Sequence, residues 1–267
     1  MDILLKLLND VQKSCWRDNT NIDEIIYASN LAYKNLTKNK TKRRKLYRIA
    51  GQSGSGKTST LFDPLVLSLE EKNINPVKLG VRYFAKYHPK YKQLIENFGS
   101  GEIREKTNGF ALKCLILTLF KLFKNGYFIV LDVTFLMPSF ERYLHFLACK
   151  FGYKCEYHII TLNRTLSRKF IKIRQNEKGK EGGRVIKNYS EKFFYKQLFP
   201  SFKYISKIDN LSNVKIWSPF YIYPFCFKNL HSAKSCYKKL RKLKNRELIS
   251  KEKLIKFRRI YFKNLED

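Results

Sequence analysis

Arg48-Ile49-Ala50-Gly51-Gln52-Ser53-Gly54-Ser55-Gly56-Lys57-Thr58-Ser59 is the stretch whose reading decides the fold. Gly51 through Thr58 matches the pattern G-x-x-x-x-G-K-[ST] in full. The residues before it, Leu46–Ala50, are mostly apolar and read as a short strand. Those after it, Ser59–Glu70, read as a helix. Glycines permit backbone angles closed to other residues, so successive N–H groups can turn inward towards phosphate oxygens. The helix that follows adds its positive N-terminal end. In this reading Gly51, Gln52, Ser53, Gly54, Ser55, Gly56, Lys57, Thr58 and Ser59 bind ATP. Lys57 reaches the β- and γ-phosphates, and Thr58 offers its hydroxyl to Mg²⁺.

Working outward, strands and helices alternate. Pro76–Leu79 is a predicted second strand and Ile103–Lys124 a helix that Asn125-Gly126 ends. Tyr127–Leu131 is a continuous apolar run, as a strand covered on both faces would be. Ser139–Phe151 reads as a helix, Lys154–Leu162 as a strand and Val214–Trp217 as a last strand. Lys234–Arg259 reads as a basic helical tail. The alternation predicts a three-layer α/β P-loop fold with a mostly parallel sheet. Before it, Met1–Leu36 has helical spacing, broken at Asp18-Asn19-Thr20-Asn21 by capping residues. The expected division is a helical N-terminal segment and basic linker at 1–45, a P-loop kinase domain at 46–218 and a basic helical C-terminal extension at 219–267.

Lys and Arg number 54 against 22 Asp and Glu, a net charge of +32. Attraction to a polyanion is one explanation. A lysine-rich composition spread over solvated faces is the favoured one, so nucleic acid is allowed as a partner but not preferred. Runs such as Asn35–Lys45 fit that second account. The six cysteines show no C-x-x-C spacing, which suits a reducing cytoplasm and argues against a metal site built from them. The longest apolar stretch, Ala111–Phe123, contains Lys113 and Lys121 and is too short to span a bilayer. The N-terminus lacks the features of a signal peptide. No membrane association is expected.

A phosphate loop alone does not name the acceptor. No guanine-recognition N-K-x-D signature and no extended acidic run of a motor ATPase occurs, and the single core favours a kinase of small acceptors. Four stretches then carry a resemblance: Arg48–Ser59; Tyr83–Leu94 (YFAKYHPKYKQL); Val130–Phe135 (VLDVTF); and the Arg-rich stretch ending in Gly182-Gly183-Arg184-Val185. Together, between about Leu46 and Leu198, they resemble the zeta-toxin family of P-loop kinases, with polynucleotide-kinase-like enzymes behind it. The resemblance implies ATP as donor, Mg²⁺ as cofactor, phosphorylation of a hydroxyl on a nucleotide sugar such as UDP-N-acetylglucosamine, and an antitoxin protein as partner. It puts Asp132 and Thr134 at the family's Glu and Thr positions. It also puts Arg82 where the family has an Asp that acts as general base. Arginine cannot accept a proton, so either Asp132 takes over, or the acceptor differs, or activity is lost. Arg82 could instead grip a phosphate-bearing acceptor.

Asp132, at the end of a strand, is expected to hold Mg²⁺ or orient the acceptor; the plainer reading is a turn-capping Asp. Thr134 contacts substrate or bonds its own turn. Arg164, Arg168, Arg174 and Arg184 surround the glycine-containing loop Asn176–Gly183. Arg174 first and Arg168 second are expected to close over ATP and neutralise charge on the transferred phosphoryl, unless they simply face water. His88 lies near the acceptor or packs on Tyr87 and Tyr91. Arg104 and Thr107 face the acceptor, or Thr107 caps its helix. Lys57, Asp132, Arg174 and Arg168 are thus the expected catalytic residues, Thr58 and Asp132 the metal-binding ones, and Arg82, His88, Arg104, Thr107 and Thr134 the acceptor-binding ones. The rival readings are a polynucleotide or nucleoside kinase, and a catalytically silent ATP-binding module whose basic tail grips nucleic acid.

Overall fold

The computed structural model describes residues 2–13, 18–134, 138–177, 196, 199–205, 213–227, 230–243 and 247–265. Five parallel strands form the sheet: β1 (Lys45–Gly51), β2 (Val77–Leu79), β3 (Ile129–Asp132), β4 (Lys154–Ile160) and β5 (Val214–Trp217). Their order is β2-β3-β1-β4-β5. The first strand is therefore central, with later strands added on both sides. Such a switch in strand order opens a crevice at the carboxyl ends of the strands. The register aligns Ile49 with Asp132 and Gly51 with Ile160. Asp132 thus ends its strand beside the entrance to the phosphate loop.

Every residue of β1 is buried, as a central strand of a parallel sheet requires. Its side chains alternate between two cores. Leu46 packs with α4 (Tyr91–Lys124), α5 (Pro138–Lys150) and the N-terminal helices α1 (Asp2–Lys13) and α2 (Ile22–Thr37). Tyr47 and Ile49 pack with α3 (Asp63–Glu71), Trp217 and Phe262 of the C-terminal helix Lys251–Lys263. The N-terminal segment is docked by Leu7, Val11, Ile25, Ala28, Ala32 and Leu36, all buried. The capping box at Asn21 and Glu24 starts α2 where the sequence placed its break. Lys113 of α4 reaches back to Gln12 and Asp18, fixing the two N-terminal helices against the long one.

The element limits shift by a few residues at several ends, and two differences from the sequence reading are larger. The long helix begins at Tyr91, not Ile103. Gly99 and Gly101 lower its intrinsic propensity by roughly 1 kcal/mol each, but its packing against α2 and the segment Val81–Tyr87 overrides that. The basic tail is two helices, Leu230–Lys242 and Lys251–Lys263, rather than one. Between them Ile249 N–H donates to Pro219 O, which turns the chain back towards the sheet edge. The C-terminal helix then lies along α3, and Arg259 pairs there with Glu71. No described helix is long and apolar enough to cross a membrane.

Among the described residues one ion pair lies wholly inside the protein. Arg48 of β1 meets Glu141 of α5 at 2.7 Å, both side chains fully buried. The same guanidinium also donates to Ile49 O and Val133 O, which ties β1 to the end of β3. Removing one partner leaves a buried charge uncompensated, which costs roughly 3–5 kcal/mol. Glu141→Leu is therefore expected to lower the urea midpoint by that equivalent, and Arg48→Met with Glu141→Leu to lose less than the two single changes summed. Equilibrium urea unfolding of the four proteins checks both statements.

Candidate functional site

The phosphate loop leaves β1 through Gly51, at φ +153°, and continues through Gly54 at +76° and Gly56 at +79°. At Gly51 a Cβ would meet Ile160 O, and at Gly54 it would meet Ser167 O. Positive φ and close backbone approach thus demand glycine together. Within the turn, Ser55 Oγ donates to Gln52 O at 2.7 Å. From outside, Ser167 of α6 (Arg164–Glu177) donates to Ser53 O, and Gln52 donates to Leu162 O. The loop is therefore held from the side of β4 and α6.

Lys57, Thr58 and Asp132 converge beyond it. Thr58 Oγ1 donates to Asp132 Oδ2 at 2.6 Å, and Lys57 Nζ lies 3.8 Å from Asp132 Oδ1. Asp132 Oδ1 is buried and makes no hydrogen bond. A hydroxyl and a carboxylate side by side, with one acceptor atom to spare, suit Mg²⁺, which takes one or two protein oxygens and completes its shell from phosphate and water. Thr58 and Asp132 are the residues that would hold it.

The first helical turn after the loop, Thr58–Phe62, is wound as a wide π-type turn. The cause lies in the sequence. Pro64 stands four residues after Thr60, so it has no N–H for Thr60 O, and its ring would crowd that carbonyl in a regular helix. The turn widens, and α3 restarts with Pro64 in its first turn. This winding sets Asp63 over the cleft.

The cleft beside the loop has a volume of about 620 Å³. Its apolar lining residues include Phe170, Ile173, Pro219, Leu248, Ile249 and Leu254, and its charged ones are Lys57, Asp63, Arg82 and Lys251. Asp63 is the acidic residue of this lining. Burial, then the neighbouring charge of Asp132, raises its carboxyl above the ordinary carboxylate range.

Of the residues predicted from sequence, Gln52 through Thr58, Ser59 and Arg82 line this cleft, and Gly51 and Asp132 border it. His88 does not line it. Its Nδ1 accepts from Lys90 N–H, its Nε2 lies 3.4 Å from Thr20 Oγ1, and its ring packs edge-on against Phe110, at 4.9 Å between centroids. The described ring partner of His88 is thus Phe110 of α4. Thr107 is buried within α4 and donates to Ile103 O, so it does not cap that helix. Thr134 is buried just after β3. Arg168 is exposed on α6. Arg104 and Arg174 lie on helices, but their side chains fall outside the described residues, as does Arg184 entirely. Asp63 and the segment Leu248–Leu254 were missed. A carboxylate one wide turn after the Lys-Thr pair, followed by proline, was the available signal for Asp63.

Gly54→Ala is expected to destabilise the protein by more than the roughly 1–3 kcal/mol that positive φ alone costs, because the methyl also meets Ser167 O. Gly152→Ala is the matched control: its φ is +66° but nothing stands within 4 Å of the added carbon. Urea midpoints and ADP binding compare the two, with ADP binding lost in Gly54→Ala alone.

Comparison with known proteins adds the family. The family model for zeta toxin matches residues 29–220. No curated protein matches the chain. A chain solved in the molecular and structural characterisation of the PezAT chromosomal toxin–antitoxin system of the human pathogen Streptococcus pneumoniae superposes with a TM-score of 0.64 and 20% identity, covering 93% of this chain and 98% of that one. At that identity the superposition shows the fold. The family match covers most of the chain and includes the phosphate loop and the strand that ends in Asp132: the chain belongs to the zeta-toxin family of kinase-like phosphotransferases.

Proposed function

We propose that the protein transfers the γ-phosphate of ATP to a hydroxyl of a small anionic acceptor, a nucleotide sugar such as UDP-N-acetylglucosamine. The observation that carries this reading is the cleft itself. Lys57, Thr58 and Asp132 meet at its loop end, and Asp63 with Arg82 lies in the same space. The loop amides and Lys57 hold the β- and γ-phosphates. The apolar side chains of the lining suit the donor's base. Bound Mg²⁺ would supply charge neutralisation at the phosphates. Arg82 and Lys251 offer cations to an acceptor's diphosphate. Arg168 and Arg174, on the helix that flanks the loop, are the cations proposed to close over the phosphates.

The departure at Arg82 then has an answer within this chain. Asp63 supplies the carboxylate that position 82 lacks. It orients the acceptor hydroxyl and takes its proton, while Asp132 stays paired with Thr58, where the two would hold Mg²⁺. Phosphoryl transfer depends mostly on positioning and charge stabilisation, so a displaced carboxylate is compatible with turnover. An antitoxin protein belongs to the same reading, since the structural relative comes from a toxin–antitoxin system. The cytoplasm fits as the compartment: Cys114, Cys149, Cys155, Cys226 and Cys236 are free thiols.

Labelled ATP offered with UDP-N-acetylglucosamine and, separately, with 5′-hydroxyl oligonucleotides tests the acceptor. Label is expected on the nucleotide sugar and absent with Lys57→Ala. Label on the oligonucleotide would replace this acceptor with nucleic acid, and ATP binding without transfer to either would favour a silent module. Asp63→Asn is expected to lower kcat by roughly 10²–10⁴-fold with ATP affinity kept. Unchanged turnover in that variant removes Asp63 from the role.

A further inference from the structure

The family match ends at residue 220, yet the phosphate-binding turn is held by a residue well beyond it. Arg258 of the C-terminal helix is fully buried. Its Nη1 donates to Thr60 Oγ1 at 2.6 Å and to Thr60 O at 3.2 Å. Its Nη2 donates to Ser218 O and Tyr221 O, just after β5. Its guanidinium lies 4.9 Å from the centre of the Trp217 ring. No carboxylate pairs with it among the described residues. A charge is thus kept inside the protein, at a real desolvation cost, by two carbonyls after β5, a ring face and one threonine.

That threonine is where the widened turn needs help. Pro64 has no N–H to give Thr60 O, and Arg258 supplies a donor there. The hydroxyl passes the restraint on. Thr60 Oγ1 accepts from Arg258 and donates to Gly56 O at 2.8 Å, beside the backbone bond from Thr60 N to the same oxygen at 2.9 Å. Gly56 C=O and Lys57 N–H belong to one planar peptide and point in opposite directions. Holding the carbonyl back into the helix aims the Lys57 amide forward, into the cleft. Gly56 has φ +79° and no side chain of its own to fix that plane.

We propose that Arg258 is a positioning residue for the donor phosphates: through the Thr60 hydroxyl it fixes the peptide plane between Gly56 and Lys57. The C-terminal extension is then part of the donor site in a second way, besides lining the cleft with Leu248, Ile249, Lys251 and Leu254. The proposal rests on the reading of the loop as a nucleotide site, and the experiment separates the two.

Binding of ADP with Mg²⁺ is measured by calorimetry on the full chain, at a temperature where circular dichroism shows each variant folded. Arg258→Met and Thr60→Val are expected to weaken binding about tenfold or more, the scale of one lost charge-assisted hydrogen bond. Thr60→Ser, which keeps the hydroxyl, is expected to bind within about twofold of the parent. If the parent itself binds no ADP, the nucleotide-site reading fails, and this proposal with it. If the parent binds and Thr60→Val binds equally well, the hydroxyl link is refuted, whatever Arg258→Met does to the melting temperature. If Arg258→Met does not fold, the comparison of Thr60→Val with Thr60→Ser decides alone: weak binding in the first and parental binding in the second upholds the link, and equal binding in both overturns it.

Discussion

A loop that offers its amides to an anion must keep its own carbonyls and side chains out of the way, and the rest of this structure follows from that demand. Gly51, Gly54 and Gly56 all take positive φ. At the first two, neighbouring carbonyls stand where a side chain would have to go. Bonds from outside add to the turn's own hydrogen bonds. Ser167 and Gln52 brace it from the β4–α6 side, and Thr60, held by Arg258, braces it from the C-terminal side. The parallel sheet makes this bracing possible, because β1 is central and all strands end at one edge. Asp132 reaches Thr58 for the same reason: its strand is registered against β1 two residues before Gly51.

The large positive charge takes on a different meaning beside this arrangement. Net charge bears on association and solubility rather than on fold, and most of the lysines face water. A few cations are structural. Arg48 joins three elements from inside the core, Lys113 fastens the N-terminal helices, and Arg258 links the last helix to the phosphate loop. These interior cations are matched by carbonyls, carboxylates or an aromatic face, as buried charge requires. Arg82 and Lys251 add cations to the lining of the cleft. The composition therefore serves the interior and the cleft as well as the solvated surface.

Arg82 and the unusual first helical turn meet at one cleft. Arg82 lines it with a cation, and the turn widened ahead of Pro64 puts Asp63 in the same lining. Wide turns of this kind recur at functional sites because they re-aim side chains without breaking a helix. Here one proline both swings a carboxylate over the cleft and leaves a carbonyl for Arg258 to satisfy.

The phosphate loop, the parallel α/β architecture and the strand ending in Asp132 were legible in the sequence, because each has a local cause. Glycine spacing answers to backbone angles, continuous apolar runs to burial on both faces, and the Asn21 break to helix capping. The place of Thr107 inside a longer helix was hidden, because tertiary packing carried α4 through Gly99 and Gly101. His88 turned to Phe110 and Thr20 through contacts that sequence neighbours do not specify. The joining of the C-terminal helix to the glycine-rich loop was decided by tertiary structure alone: Arg258 and Thr60 are 198 residues apart, and no periodicity or motif links positions that meet only after the sheet has assembled between them.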